Sequence, residues 1–234
     1  MISPHSLNDC SFLGARNRLR RVSAPVFRER PAAGEASGLL VLHHGRGTDE
    51  HDLLPLADAL DPQQRLHVVT PRAPLTLPGW AGHHWYVVPR VGYPDHDTFA
   101  ASYGLLSDFH DELWQRTGIG PERTVLGGFS MGCVMSYALA LGGDRPAPAG
   151  ILAFSGFIPS VEGWRAHFED RRSLRALVRH GTEDPVIEIA FGRAAREALS
   201  AGGLDVDYDE FYGGHSIPPA VLPGARQWLG ELIP

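Results

Sequence analysis

Ser130 stands between glycines in Gly128-Phe129-Ser130-Met131-Gly132, where the apolar run Val125-Leu126-Gly127 gives way to a helical pattern. A serine on so tight a strand-to-helix turn lifts its hydroxyl above a sheet edge, and the flanking glycines leave room where the two backbones crowd. A hydroxyl at its ordinary pKa is a poor nucleophile. It becomes an effective one when an imidazole takes its proton and a carboxylate on the other ring nitrogen holds the useful tautomer. Both partners follow in chain order: Asp184 in Gly181-Thr182-Glu183-Asp184-Pro185-Val186, and His215 in Tyr212-Gly213-Gly214-His215-Ser216. Each of the three comes at the end of an expected strand, hence on one rim of a sheet. The chemistry available to them is attack on a carbonyl carbon through an acyl intermediate. Glu183 should point elsewhere, and Ser216 is a candidate cap for the last helix.

Carbonyl attack builds negative charge on oxygen, which needs hydrogen-bond donors. The backbone N–H of Met131, at the start of a helix, is one; the second is expected from His44-Gly45-Arg46-Gly47, at the N–H of Arg46. The Arg46 side chain has three candidate partners: Asp49, Glu50 or an anionic substrate. His44 and Asp49 are expected to shape this oxyanion loop. Trp80, Trp85 and Tyr86, joined by Phe157 and Ile187, are candidates for the wall of an acyl or aryl pocket, although aromatic side chains also seal long loops onto a core. His43, His44, His51, His83 and His84 with Asp49 and Asp52 match no zinc spacing, and Gly45-Arg46-Gly47 lacks a P-loop or dinucleotide fingerprint. No metal and no cofactor are expected.

The elements that must position these residues alternate. Strands are expected at 22–29, 39–43, 66–69, 123–127, 149–154, 174–178 and 204–211, with helices at 50–60, 97–117, 131–141, 186–201 and 219–232. Residues 71–96, rich in Pro, Gly, His and Trp, suit a loop over a site, and 156–171 is expected to be irregular. This alternation predicts a mostly parallel sheet covered on both faces. Residues 1–20 form an expected flexible leader, and 21–234 a single domain.

The chain has 234 residues, 43% of them hydrophobic, and a formal charge of −6. That supports one substantial core and gives no case for nucleic-acid binding. All 21 side-chain cations are arginine. No secretory or membrane-spanning segment is evident, so a cytoplasmic location is the expectation. Cys10 and Cys133 make neither a disulfide framework nor a metal site, and Cys133 is expected to be a small packing residue.

Taken together, His44-Gly45-Arg46-Gly47, the Ser130 turn, Ser155-Gly156-Phe157-Ile158-Pro159, the Asp184 segment and Gly214-His215-Ser216 resemble the phospholipase/carboxylesterase family of α/β-hydrolases, which includes acyl-protein thioesterase-like enzymes. The resemblance runs from about Leu39 to Leu232. It implies a three-layer α/β-hydrolase fold without a large cap domain, a triad of Ser130, Asp184 and His215, and oxyanion donors at Arg46 and Met131. Many relatives carry leucine or threonine at the position of Arg46, and glutamine or asparagine at that of Met131; both departures keep the N–H and alter the pocket. The expected function is hydrolysis of small or medium-chain carboxylic esters. The alternatives are an acyl-thioesterase or lysophospholipase using the same residues, and a non-catalytic binding protein of the same fold. The expected partner is a small-molecule ester, without stable membrane insertion; a homodimer is compatible with the sequence.

Overall fold

In the computed structural model, residues 24–76 and 78–234 are described; the expected leader and Cys10 lie outside them. Seven strands form one sheet: β1 (Phe27–Arg30), β2 (Gly38–His43), β3 (Leu66–Pro71), β6 (Thr124–Phe129), β7 (Gly150–Phe154), β8 (Arg175–Gly181) and β9 (Asp205–Phe211). Their order is β1-β3-β2-β6-β7-β8-β9. Only β1 is antiparallel, running against β3 with Phe27 opposite Pro71. A two-stranded hairpin, β4 (Leu75–Thr76) and β5 (His83–His84), stands apart.

The central strands are buried on both faces, and the period-2 alternation of side chains sorts their residues into two cores. Leu39, Val41, Leu126, Ile151, Ala153, Ala176 and Val178 face one way, toward α2 (His96–Thr117), α3 (Met131–Leu141) and α4 (Ile189–Ala201). Leu40, Leu42, Val125, Leu152, Phe154 and Leu177 face the other, toward α1 (Leu54–Leu60) and α5 (Leu222–Leu232). The result is three layers, helices on sheet on helices. Every residue of α3 is buried, which is why its sequence is apolar all round rather than striped. Helix α2 starts where the Asp95 carboxylate accepts from the Thr98 N–H and stops at Gly118, whose φ of 68° suits glycine.

Several boundaries depart from expectation: β1 begins at Phe27 rather than residue 22, β8 runs on to Gly181 rather than 178, and α4 and α5 begin at Ile189 and Leu222 rather than 186 and 219. Helix α1 begins at Leu54, not at residue 50, because Glu50 turns inward to pair with Arg72. Segment 71–96 is not loop throughout, since it contains the β4–β5 hairpin. Residues 156–171 carry no helix and no strand longer than an isolated bridge, so no cap domain is built there.

From β2 the chain steps to β3 on one side and later to β6 on the other. The order therefore reverses between β2 and β6, and the loops after these strands diverge to leave a crevice at their carboxyl ends.

Candidate active site

Ser130 follows β6 directly, at φ 55° and ψ −119°, a conformation that non-glycine residues rarely adopt. Its surroundings enforce it. The Ser130 N–H bonds to the Phe154 carbonyl at 3.0 Å. A Cβ on Gly132 would lie 1.9 Å from the His43 carbonyl oxygen, and one on Gly128 would lie 2.5 Å from the Gly132 carbonyl carbon. The two glycines thus allow α3 to start hard against β2 and β6.

The structure brings Ser130, Asp184 and His215 together from the ends of β6, β8 and β9. His215 Nε2 is 2.8 Å from Ser130 Oγ, and His215 Nδ1 is 2.7 Å from Asp184 Oδ2. The Asp184 side chain is fully enclosed. Its other oxygen, Oδ1, accepts from the N–H groups of Val186 and Ile187, each at 2.9 Å. An acceptor-only carboxylate on Nδ1 makes that nitrogen the donor, which leaves Nε2 with a lone pair toward the serine hydroxyl. Phe129 packs against the His215 ring at 4.7 Å between centroids. His180 lies beneath, donating from Nε2 to the Ile187 carbonyl at 2.7 Å, and its burial lowers its pKa. Glu183 is exposed and outside this chain of bonds.

Arg46 sits at the tip of the loop after β2, and Met131 opens α3, where the first N–H groups have no intrahelical acceptor. The loop is held from several sides. The Gly47 N–H bonds to the His83 carbonyl and the His83 N–H to the Thr48 carbonyl, both at 2.8 Å. His44 Nε2 accepts from the Ala73 N–H at 3.0 Å, so Nδ1 carries the proton and donates to the Gly45 carbonyl at 2.7 Å. Burial holds the His44 pKa below its ordinary value, which favours this neutral tautomer. Asp49 accepts from the N–H of its neighbour His51.

A cavity of about 530 Å³ reaches Ser130 and His215. Leu53, Leu56, Phe129, Ile217 and Leu222 give it an apolar lining, and Gly45, Arg46, Thr48, Asp52 and Ser216 also border it. None of the five residues expected to form the pocket wall lines it, and Tyr86 is buried against Phe99. Trp85 has no solvent exposure at all: its indole N–H bonds to the His44 carbonyl at 2.9 Å and its main-chain N–H points to the Met131 thioether at 3.2 Å. It braces the loop after β2 and has no surface left to face the cavity. Phe157 is buried against Phe191, and Ile187 is buried and tied by its backbone to Asp184 and His180. Trp80 is 60% exposed beyond the cavity, under the Arg46 guanidinium. Ser216 caps no helix, since α5 starts at Leu222 without a side-chain cap. The aliphatic lining was missed because it comes from unrelated segments; its one local signal was Leu53 and Leu56, spaced for a helix face.

Cys133 is free and buried, with its thiol pKa pushed up by burial. Asp49, Glu50 and His51 lie close together, but the Glu50 carboxylate is taken by Arg72. No helix of the described residues is long and apolar enough to cross a membrane.

The sequence profile of the phospholipase/carboxylesterase family matches residues 29–233. The chain belongs to that family. Similar proteins include acyl-protein thioesterase 1 of Gibberella zeae, 28% identical over 92% of this chain and 97% of the relative. Acyl-protein thioesterase 1 of Cryptococcus neoformans is 30% identical over 83% of this chain and 92% of its own. Among solved structures, esterase PE8 aligns with a TM-score of 0.73 and 29% identity over 89% of this chain and 99% of that one. Family membership supports ester-hydrolysing serine-hydrolase activity in general terms.

Proposed function

We propose that this family member hydrolyses small to medium acyl esters, thioesters included, with Ser130 as nucleophile, His215 as general base and acid, and Asp184 as the residue that orients His215. The observation that carries this reading is the unbroken relay from Ser130 Oγ through both ring nitrogens of His215 to Asp184 at the edge of an apolar cavity. In the proposed reaction Ser130 Oγ bonds to the acyl carbon as its proton passes to His215 Nε2. The N–H groups of Arg46 and Met131 receive the developing oxyanion. Collapse breaks the bond to the alcohol or thiol, which leaves with the proton from His215. Water, deprotonated by the same nitrogen, then releases the acid and restores Ser130. The thioester arm is supported by the two fungal relatives named as thioesterases; the apolar lining supports an aliphatic acyl group.

Matched p-nitrophenyl esters and acyl-thioesters of increasing chain length would test both arms. Ser130→Ala should lower turnover by about a million-fold, as for a serine acting within a triad, and should abolish labelling by a fluorophosphonate probe. Near-normal hydrolysis by Ser130→Ala, or folded wild-type protein that the probe does not label, would overturn the reading.

A further inference from the structure

Arg46 combines two positions that a substrate would meet together. Its backbone belongs to the loop that borders the cavity beside Ser130, and its side chain is exposed at the mouth. The guanidinium lies 5.1 Å from the centroid of the Trp80 ring, within cation–π range. Stacking on an indole face leaves the planar edge of a guanidinium free, and that edge matches a carboxylate by two parallel N–H bonds.

The acidic groups nearest in sequence are engaged elsewhere. Glu50 is held by Arg72 through Nε and Nη2, with Arg28 3.8 Å away, and Asp49 bonds to His51. Asp52 accepts from the Thr48 hydroxyl at 3.1 Å. Among the described residues no carboxylate pairs with Arg46, in a chain whose formal charge is −6. The platform is also tied to the catalytic loop. Trp80 lies in the turn between β4 and β5, and a Cβ on Gly82 in that turn would be 2.1 Å from the Gly47 carbonyl oxygen, so the hairpin packs directly on the loop that carries Arg46. The positive charge is felt nearby: His84, whose pKa is lowered first by burial, is lowered further by Arg46.

We propose that Arg46 and Trp80 form an anion subsite at the cavity mouth, which selects acyl esters bearing a carboxylate close to the scissile bond. The proposal rests on the esterase reading above and deepens it by naming the substrate class. Because Leu53, Leu56, Phe129, Ile217 and Leu222 dominate the cavity lining, with Arg46, Thr48 and Asp52 on its border, the carboxylate is placed on the leaving-group side and the aliphatic acyl chain inside.

Two pairs of near-isosteric esters test this: 4-carboxyphenyl against 4-carbamoylphenyl butyrate, and phenyl hemiglutarate against phenyl glutaramate. The first pair puts the charge on the leaving group, the second on the acyl chain. The quantity read is the ratio of kcat/KM for charged over neutral ester in wild type divided by the same ratio in Arg46→Leu, which cancels differences in intrinsic reactivity. About tenfold or more is expected for the first pair, as for one charge-assisted contact, with the effect mainly in KM, weakened by salt and partly retained in Arg46→Lys. A value near one in both pairs overturns the subsite, and a preference confined to the second pair overturns its placement on the leaving-group side. Failure of wild type to hydrolyse even the neutral esters would instead count against the esterase reading.

Discussion

Both carboxylate oxygens of Asp184 are committed as acceptors, one to His215 and the other to two backbone N–H groups. An amide in its place has only one acceptor oxygen. In Asp184→Asn the oxygen must either keep the Val186 and Ile187 N–H groups and turn its NH2 toward His215, or abandon them. The first choice puts a donor against Nδ1, moves the ring proton to Nε2 and removes the base that faces Ser130. We expect kcat to fall by about 10⁴ with the fold retained, as the analogous change does in a serine protease triad; steady-state kinetics beside a thermal melt checks it, and a loss under tenfold would contradict the assigned role. The three residues were legible in the sequence because each lies in a short motif whose turn chemistry is local: glycines around Ser130, a proline after Asp184, paired glycines before His215. Trp85 was not legible. Its indole bonds to a carbonyl 41 positions away, and composition cannot distinguish an aromatic that braces a loop from one that lines a cavity.

At the level of elements, the β4–β5 hairpin and Trp85 connect the two halves of the candidate oxyanion hole, the loop after β2 and the start of α3. Trp85→Phe keeps most of the ring and removes the donor to the buried His44 carbonyl, which costs about 1–3 kcal/mol. With the loop less constrained, the Arg46 N–H no longer has a fixed position. Losing one oxyanion donor outright costs about 10²–10³ in kcat, so a partial displacement should lower kcat by about tenfold to 10² and leave KM nearly unchanged across acyl lengths. A pocket-wall role would instead shift KM with chain length, so a chain-length series separates the two. The central strands were readable as short apolar runs because the sheet is buried on both faces, and α2 from the helical spacing of its buried residues. The start of α1 was not, because the part-buried Glu50–Arg72 pair that displaces it joins residues 22 apart.

Across the whole molecule, the sheet is packed around neutral histidines. His43, His110 and His180 are almost fully enclosed. Burial pushes His43 down to about 3 and His110 well below the ordinary value, and it lowers His180 as well. The unfolded chain protonates these rings near pH 6.5 whereas the folded one does not. Each therefore adds stability that is full above about pH 6.5 and is lost as pH falls toward the folded pKa, at up to about 1.4 kcal/mol per pH unit. Glu50, lowered to about 2 chiefly by its hydrogen bonds with Arg72, has the same sense but a lower window: its contribution is intact above about 4.5 and declines as pH falls through about 2. Between pH 6.5 and 4.5 the histidines thus dominate, and with total stability usually about 5–15 kcal/mol acid unfolding should set in near pH 5. The site residues share this fate, since His43 hydrogen-bonds to Ser136 in α3 and His180 underlies Asp184. His110 offers the sharper check. Its Nε2 has no hydrogen-bond partner, and its ring packs among His43, Phe109 and Trp114, so Phe at 110 keeps the ring contacts and removes one titrating group. Urea unfolding of wild type at pH 7 and pH 5 should differ by several kcal/mol, and His110→Phe should narrow that difference by at least about 1 kcal/mol; equal stability at the two pH values, or an unchanged slope in the variant, would contradict the account.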